Sequence, residues 1–265
     1  MAKGIPSSFG DVRSLLHERP VQPLAWYRLS KALGFFDKPE TLRGEVLPYC
    51  AEAIREWPRD LRRDAPNEWV FGRDGRERHE IHPCLALATH VETRDLLSED
   101  GAARLLDALG FELVEHLEIT NMKTPEAVFE TLLDANIWGA LRSFRYNAPL
   151  SGGMLRRFFS SEWCAQLQRI DLGQTGFDDD VMAFVAEQDN FDELEWLCLG
   201  DNNITRAGVE HLLTMKSLGN LDVLELGGNA FSITDGDVFT TTDAASLRFS
   251  VLALAWEEYY GEVFE

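Results

Sequence analysis

A short apolar pattern that returns at a nearly constant interval constrains the fold of this chain more than any other feature. In residues 194–213, LEWLCLGDNNITRAGVEHLL, apolar residues occupy positions 0, 3 and 5, and polar residues and a second apolar segment follow. The pattern starts at five positions that are 26 or 27 residues apart: Val114, Leu141, Leu167, Leu194 and Leu221. This regularity indicates a structural unit that is repeated along the chain.

Each unit contains two periodicities. In its first half apolar and polar residues alternate, which predicts a strand with positions 3 and 5 facing a core. Its second half has apolar residues at helical spacing, which predicts an α-helix. The helical stripes are Val128, Leu132 and Leu133; Leu155, Phe158 and Phe159; Val181, Phe184 and Val185; and Val209, Leu212 and Leu213. Because one strand and one helix cannot bury their apolar sides alone, neighbouring units must stack.

Weaker copies extend the series to about seven strands, through Leu85 and Leu87 at one end and Phe249, Leu252 and Leu254 at the other. The LxxLxL pattern over residues 82–256 resembles the leucine-rich repeat family, and its long interval resembles the ribonuclease-inhibitor-like subclass. The resemblance implies an α/β solenoid with a curved parallel sheet on the concave side and helices on the convex side. The family's turn asparagine, at position 8, is matched by Asn202 and Asn229 and in part by Thr175, whereas Met122 and Pro149 depart from it.

Residues 1–78 show no repeat and are predicted to form a helical N-terminal capping region, with the solenoid and a C-terminal cap at 79–265. Two helical faces support this reading: Trp26, Leu29 and Leu33, and Leu47, Cys50, Ile54 and Trp57. A solenoid needs its terminal apolar surface covered. The segment is similar to the helical segments that precede repeats in bacterial leucine-rich repeat proteins. The aromatic C-terminal end, 255–265, is expected to cover the last repeat or to form a second contact surface.

The charge of the chain is distributed unevenly. The net charge is −20, and the segment from Asp171 to Glu265 holds 20 acidic residues against Arg206, Lys216 and Arg248. Such a field repels nucleic-acid phosphates and anionic membranes and attracts basic proteins, although it also serves solubility. The beginning of the sequence lacks an apolar signal region, and no apolar run approaches the roughly 18 residues of a membrane span. We therefore expect a cytoplasmic protein whose cysteines are free thiols.

The sequence lacks the signatures of common catalytic sites. The sequence contains no GxSxG, P-loop or HExxH motif, so we expect no enzyme and no cofactor. An alternative is a metal- or thiol-dependent enzyme built around His79, His82 and Cys84, with ligand types that zinc accepts but in no common zinc spacing. The loop at 234–243, TDGDVFTTTD, lacks the ligand order of a calcium loop and is expected to be a solvated acidic loop.

Positions 2 and 4 of each strand are expected to face solvent on the concave side, because alternate side chains point to opposite faces. Position 2 holds Cys84, His116, Ser143, Arg169, Trp196, Val223 and Val251, and position 4 holds Ala86, Glu118, Arg145, Asp171, Cys198, Glu225 and Ala253. Trp196 has the character of an interface anchor, unless its own neighbours or a loop cover it. The candidate partner-binding residues are Trp196, Arg169, Asp171, Glu225, Arg145 and Glu118.

These features predict a monomeric, non-enzymatic protein–protein interaction scaffold. Its concave face and acidic C-terminal half would bind a partner protein with a basic surface, with Trp196 as anchor and Asp171 and Glu225 steering the encounter. One alternative is an inhibitor or immunity-type protein of a basic enzyme such as a nuclease, by analogy with the subclass that the repeats resemble. Another is an architectural role in which the convex helices make the contacts.

Overall fold

The computed structural model describes residues 9–230 except 23, 35–39, 41, 59–60, 62, 72–74, 109–112, 136–137, 189, 216 and 218–220. This part of the chain contains eight α-helices: α1 Phe9–Leu16, α2 Ala25–Leu33, α3 Leu47–Ile54, α4 Glu99–Ala108, α5 Glu126–Asp134, α6 Gly152–Phe159, α7 Asp179–Gln188 and α8 Arg206–Leu212. It also contains six strands: β1 His90–Thr93, β2 His116–Ile119, β3 Ser143–Tyr146, β4 Arg169–Asp171, β5 Trp196–Cys198 and β6 Val223–Glu225. The protein is therefore an α/β protein.

The six strands form one sheet in chain order, β1-β2-β3-β4-β5-β6. The pairs from β3 to β6 are parallel, and their register aligns equivalent positions of successive repeats: Ser143 with Arg169, Arg169 with Trp196, and Trp196 with Val223. Parallel neighbours require a crossover connection, which the helices α6, α7 and α8 provide. The predicted alternation of strand and helix is confirmed for these repeats.

The predicted apolar positions form the core of the repeats. Positions 3 and 5 are buried in five repeats: Leu117 and Ile119, Phe144 and Tyr146, Ile170 and Leu172, Leu197 and Leu199, and Leu224 and Leu226. The helical stripes are buried as well, except that Phe184 and Leu213 are half-buried. Burial of this apolar surface stabilises the fold by roughly 25 cal/mol for each Å² removed from water.

The first strand was predicted at the wrong residues. Leu85 and Leu87 are buried, but they lie in a 3-10 helix, Pro83–Leu87, that follows His82, and the strand begins at His90. Proline at the start favours a helical turn because its fixed backbone angle fits and its missing N–H is not needed there. The in-phase copy is instead Ala88, Val91 and Thr93, all buried, at 26 residues before the next repeat.

This correction also changes the face residues of the first repeat. Cys84 was expected on the solvent face together with Ala86, but Cys84 is fully buried. His90 and Glu92 occupy positions 2 and 4 of β1 in their place. This repeat has small and hydroxyl-bearing residues at core positions where the other repeats have larger apolar residues. It therefore lacks the pattern by which the other repeats are recognised in the sequence.

The asparagines at position 8 hydrogen-bond the turns as the repeat pattern implies. Asn202 Oδ1 accepts hydrogen bonds from the backbone N–H groups of Thr175, Gly176 and Phe177, at 3.0, 2.8 and 2.9 Å. Its Nδ2 donates to the carbonyls of Leu172, Leu199 and Gly200, at 2.9, 3.1 and 3.1 Å. Asn229 donates to Leu199 and Leu226 and accepts from Ile204. Buried backbone groups that would otherwise lack partners are satisfied in this way.

The chain divides into two compact units: Met1–Leu117 with Ile137–Ala140, and Glu118–Asn136 with Leu141–Glu265. In the first unit α2 and α3 bury the predicted residues Trp26, Leu29, Leu33, Cys50 and Ile54, and Trp57 is buried beyond the end of α3. Their capping role, and the boundary between residues 78 and 79, remain predictions. No described helix has both the length and the apolar character needed to cross a membrane. The copy at Phe249–Leu254, the loop at 234–243 and the aromatic end lie outside the described residues.

Candidate functional site

Two rows of side chains point away from the buried core on the strands of the second unit. The first row, at position 2, is Ser143, Arg169, Trp196 and Val223, and the second row, at position 4, is Arg145, Asp171, Cys198 and Glu225. We call this surface the open face. Because the register is the same from β3 to β6, the two rows run across the strands at a separation of roughly 7 Å, two residues of strand rise.

Trp196 in the first row is partly covered by its neighbours and partly accessible. Its side chain is half-buried, and the guanidinium carbon of Arg169 lies 5.1 Å from the ring centroid. A cation–π contact at such an exposed site is worth about 0.5–1 kcal/mol. Val223 stands opposite on the next strand. The indole is therefore oriented by its own neighbours while part of its surface remains open to a partner.

Arg145 organises the second row. Its Nε lies 3.0 Å from Asp171 Oδ2, and its NH1 lies 3.7 Å from Glu118 Oε2. The same Nε donates a hydrogen bond to Asn147 Oδ1 at 2.6 Å. The Arg145 side chain is 45% exposed, so water screens these pairs and each contributes little to stability. Their main effect is to hold the guanidinium in one place on the open face.

Asp171 was expected to face solvent and to steer a basic partner, and the structure contradicts that exposure. Its side chain is only 12% exposed, and its Oδ1 accepts hydrogen bonds from Gly173 N at 3.0 Å and Asn147 Nδ2 at 3.3 Å. A carboxylate at a strand end can turn back onto the backbone of the next turn, and here that contact outweighs exposure to water. Asp171 therefore positions Arg145 and the turn.

A groove of about 320 Å³ lies at the carboxyl ends of these strands. Three carboxylates, those of Asp171, Asp201 and Glu225, line it together with one guanidinium, that of Arg145, and with the thiol of Cys198. We call it the acidic groove. Met122, which is 55% exposed, and the glycines of the turns complete its wall. Its lining carries more negative than positive charge, which favours a cationic group.

Asp201 is the groove residue that the sequence analysis missed. It lies in the turn after β5 with a φ of 53°, in the left-handed region that Asp tolerates better than most residues. Gln174 Nε2 donates to its Oδ2 at 3.2 Å. The available signal was its place directly after a strand, because the ends of parallel neighbouring strands meet at one edge of the sheet. The residues predicted to bind a partner all lie on the strands themselves.

Cys198 on the open face is a poor nucleophile. Burial raises the pKa of its thiol well above the ordinary value, and the negative charge of Asp171 and a hydrogen bond to Glu225 raise it further. The thiol is therefore protonated at neutral pH, whereas thiol chemistry requires the thiolate. Cys198 forms part of the groove floor.

The geometry does not support the alternative of a metal or thiol site around His79, His82 and Cys84. His82 stacks on Trp69 at 5.0 Å and accepts a hydrogen bond from Cys84 N at 3.3 Å. The Cys84 thiol is fully buried, and burial raises its pKa well above the ordinary value. Within residues 9–230, as far as the structure describes them, no three His, Cys, Asp or Glu residues are grouped closely enough to hold a metal ion.

Comparison with known proteins identifies no close relative. No model of a protein family matches the sequence, and no curated protein matches it either. Structural similarity is found to an internalin from Listeria monocytogenes, with 14% identity, a TM-score of 0.34, and coverage of 57% of this chain and 45% of that chain. It is also found to a TLR13–ssRNA13 complex, with 14% identity, a TM-score of 0.25, and coverage of 59% and 35%. This chain thus spans less than half of either protein.

Proposed function

We propose that this protein is a leucine-rich repeat solenoid of the ribonuclease-inhibitor-like type and acts as a non-enzymatic scaffold that binds a partner protein. The partner presents a basic surface, and the open face with the acidic groove receives it. The observation that carries the proposal is the groove itself, which three carboxylates and one guanidinium line, together with the half-buried Trp196 on the open face. A lysine or arginine side chain of the partner fits this charge and volume.

The roles within this surface differ from residue to residue. Trp196 is the proposed anchor, because a large, rigid aromatic ring gives contact area at a low cost in conformational entropy. Arg169 holds the ring from one side. Glu225 and Asp201 meet the incoming cation. Asp171 acts through Arg145, which it holds together with Glu118.

A defined cationic probe tests this proposal without knowledge of the partner. Tetraarginine amide is titrated into ¹⁵N-labelled protein, and amide shifts are followed by NMR at low and high salt. We expect saturable shifts in the turns after β4, β5 and β6 that weaken as salt screens the charges. Glu225→Gln combined with Asp201→Asn should weaken binding about fivefold, in keeping with two partly exposed charge pairs.

Matched control variants separate the groove from the general negative charge. Glu187→Gln with Asp180→Asn removes two charges from exposed positions of α7 and should leave the affinity within about twofold. If this control weakens tetraarginine binding as much as the groove variant does, the net charge explains the binding and the groove does not. Binding of tetraglutamate with the same affinity would contradict the proposal as well.

The anchor role of Trp196 needs a protein partner rather than a short peptide. Capture from native lysate with the wild type, Trp196→Ala and the control Tyr27→Ala should retain basic proteins that only Trp196→Ala loses. A captured nuclease that loses activity in the complex would identify the inhibitor function, which is the narrower form of the proposal. A monomeric state and a cytoplasmic location remain predictions.

A further inference from the structure

A second cleft, in the first unit, has the opposite character to the acidic groove. It encloses about 160 Å³ and is lined by Lys31 and Arg78 together with the Trp69 and His82 rings and Glu68. We call it the cationic cleft. It is built from the end of α2 and from the segments around Trp69 and His82. The protein-binding proposal does not use it.

The His82 ring, which lines this cleft, carries a hydrogen-bond donor. Its ring lies flat on Trp69, with an interplanar angle of 11°, and its Nδ1 accepts a hydrogen bond from Cys84 N at 3.3 Å. Burial and, secondarily, the charge of Arg78 lower the pKa of His82 to about 4. The imidazole is therefore neutral at pH 7, and because Nδ1 is an acceptor, the proton resides on Nε2.

The Nε2–H group of His82 is enclosed but has no acceptor among the described residues. A buried donor without a partner is costly, so structures rarely retain one without a function or a bound group. The two stacked rings fix the direction of this N–H, since the Trp69 contact and the Cys84 hydrogen bond leave the imidazole one orientation. A ring that lines the cleft therefore carries an oriented donor without an acceptor oxygen among the described residues.

The cations of the cleft are not neutralised by the described part of the chain. No ion pair joins Lys31 or Arg78 to a described carboxylate, and the contact of the Lys31 ammonium is with the Tyr27 ring, at 5.7 Å. Other arginines of this unit do pair, as Arg43 does with Glu80 and Arg28 with Glu18. The chain has a net charge of −20, and yet two cations without an ion pair to a described carboxylate line the same cleft as the His82 ring.

We propose that the cationic cleft binds a small oxyanion, a carboxylate or phosphate group, with His82 Nε2–H as donor and Arg78 and Lys31 as counter-charges. The volume equals roughly five water molecules, so the occupant is a small acid or the acidic end of a larger molecule. Arg78 suits an oxyanion because its fork of N–H groups can engage two oxygens at once. Glu68 at the same cleft disfavours a second negative group near it.

Two probes distinguish the source of the oxyanion. Inorganic phosphate and succinate are titrated separately, up to about 10 mM, into ¹⁵N-labelled protein, and the His82 ring nitrogens are followed by NMR. We expect saturable binding of at least one probe, with a shift of His82 Nε2 that persists from pH 8 to pH 6 because the ring stays neutral. The probe with the tighter binding identifies the group.

Three variants test the contribution of each part. Arg78→Met and Lys31→Met should each weaken binding about tenfold, and Gly34→Leu should block the cleft without any change in charge. The β-carbon at Gly34 would lie in ordinary contact, 3.9 Å from Trp69 Nε1, so this variant is expected to fold. Arg55→Met, which removes an exposed arginine elsewhere on the same unit, is the matched control.

If one variant misfolds, the other two still test whether the oxyanion binds in the cationic cleft. Equal affinity in the wild type, Arg78→Met and Gly34→Leu would show an adventitious ion only and overturn the proposal. Absence of saturable binding by both probes would overturn it too. Because tetraarginine binding to the acidic groove is measured separately, loss of that activity and loss of oxyanion binding are independent results.

Discussion

Residues 126–163 are packed with aromatic rings, whereas residues 172–229 are joined by buried amide groups. In the first segment, which we call the aromatic repeats, the Phe158 ring lies 5.0–5.6 Å from four others: Phe129, Phe144, Phe159 and Trp163. In the second, the asparagine repeats, Asn202 alone bonds six backbone groups. The same unit of strand and helix is thus stabilised by non-directional packing in one segment and by directional hydrogen bonds in the other.

The aromatic repeats compensate for the missing asparagines. Pro149 has no side-chain amide, and Met122, at the equivalent position in the turn before this segment, is 55% exposed at the wall of the acidic groove. Asn147, one residue after β3, instead donates to the carbonyl of Gly173 at 2.9 Å, and Leu150 N donates to the carbonyl of Thr175 at 2.8 Å. A repeat can therefore lose its turn asparagine when other donors reach the turn and large rings fill the core.

The largest effect is expected in the aromatic repeats. Phe158→Ala should lower the free energy of unfolding by about 4 kcal/mol, because it removes a fully buried ring at the centre of four others and leaves a cavity. Urea denaturation followed by circular dichroism measures the loss. Phe184→Ala, at a half-buried position of α7, is the matched control and should cost less than half as much. Equal losses in the free energy of unfolding for the two variants would show that the four rings around Phe158 add nothing to the stability gained from burial alone.

The next effect concerns the asparagine repeats. Asn202→Ala should lower the free energy of unfolding by about 3 kcal/mol, because several buried N–H and C=O groups lose their partner together. Asn203→Ala changes the adjacent exposed asparagine and should alter stability by less than about 0.5 kcal/mol. Comparable losses for the two variants in the same urea titration would contradict the assignment of Asn202 to the buried turn.

A smaller, pH-dependent effect belongs to Tyr146 in the aromatic repeats. Its hydroxyl donates to the carbonyl of Pro125 at 3.2 Å, and burial and the Glu126 charge raise its pKa above the ordinary value of 10. The stabilisation from the neutral phenol is therefore complete below pH 10 and is lost as the pH rises through the raised pKa. Tyr146→Phe should cost about 1 kcal/mol at pH 7.

The same variant separates Tyr146 from the other alkaline groups. The wild type and Tyr146→Phe share the buried cysteines. The difference between their unfolding free energies therefore reports the contribution of the Tyr146 hydroxyl alone. The wild type should lose its advantage over Tyr146→Phe between pH 10 and pH 12. A constant difference across that range, measured by urea denaturation at each pH, would show that the phenol ionises without opposition from burial.

The smallest effect is expected when an asparagine is introduced at position 8 of a repeat that lacks it. Met122→Asn places at position 8 of the β2 repeat the residue found there as Asn202 and Asn229 in later repeats, but the side chain at 122 is exposed. We expect a change of less than about 0.5 kcal/mol in the free energy of unfolding, because an amide in solvent gains nothing over its bonds with water. A gain of 1 kcal/mol or more would mean that the turn can rearrange to bury the new amide.

Much of the fold followed from the sequence, and the candidate site followed only in part. The recurring apolar positions correctly predicted β2 to β6 and the helices between the repeats, because burial acts on each repeat in the same way. The strand at His90 was missed because Ala88 and Thr93 carry no leucine signal. Asp201 was missed and Asp171 was assigned to solvent, because a turn's path and a carboxylate's hydrogen bonds depend on residues about 25 positions away.

The repeated unit, its interval and the residues that face the core can be predicted from the sequence alone, since these depend on local periodicity and on the exclusion of apolar surface from water. Which polar groups are exposed to a ligand or partner depends, in contrast, on the tertiary structure. Folding buries Asp171 against Asn147 and Gly173. It also places Asp201 and Glu225 in the lining of one groove, and Lys31, Arg78 and His82 in the lining of one cleft. The physical reason is that hydrogen bonds and charge pairs are short-ranged and directional, so they depend on how separate repeats and helices are positioned.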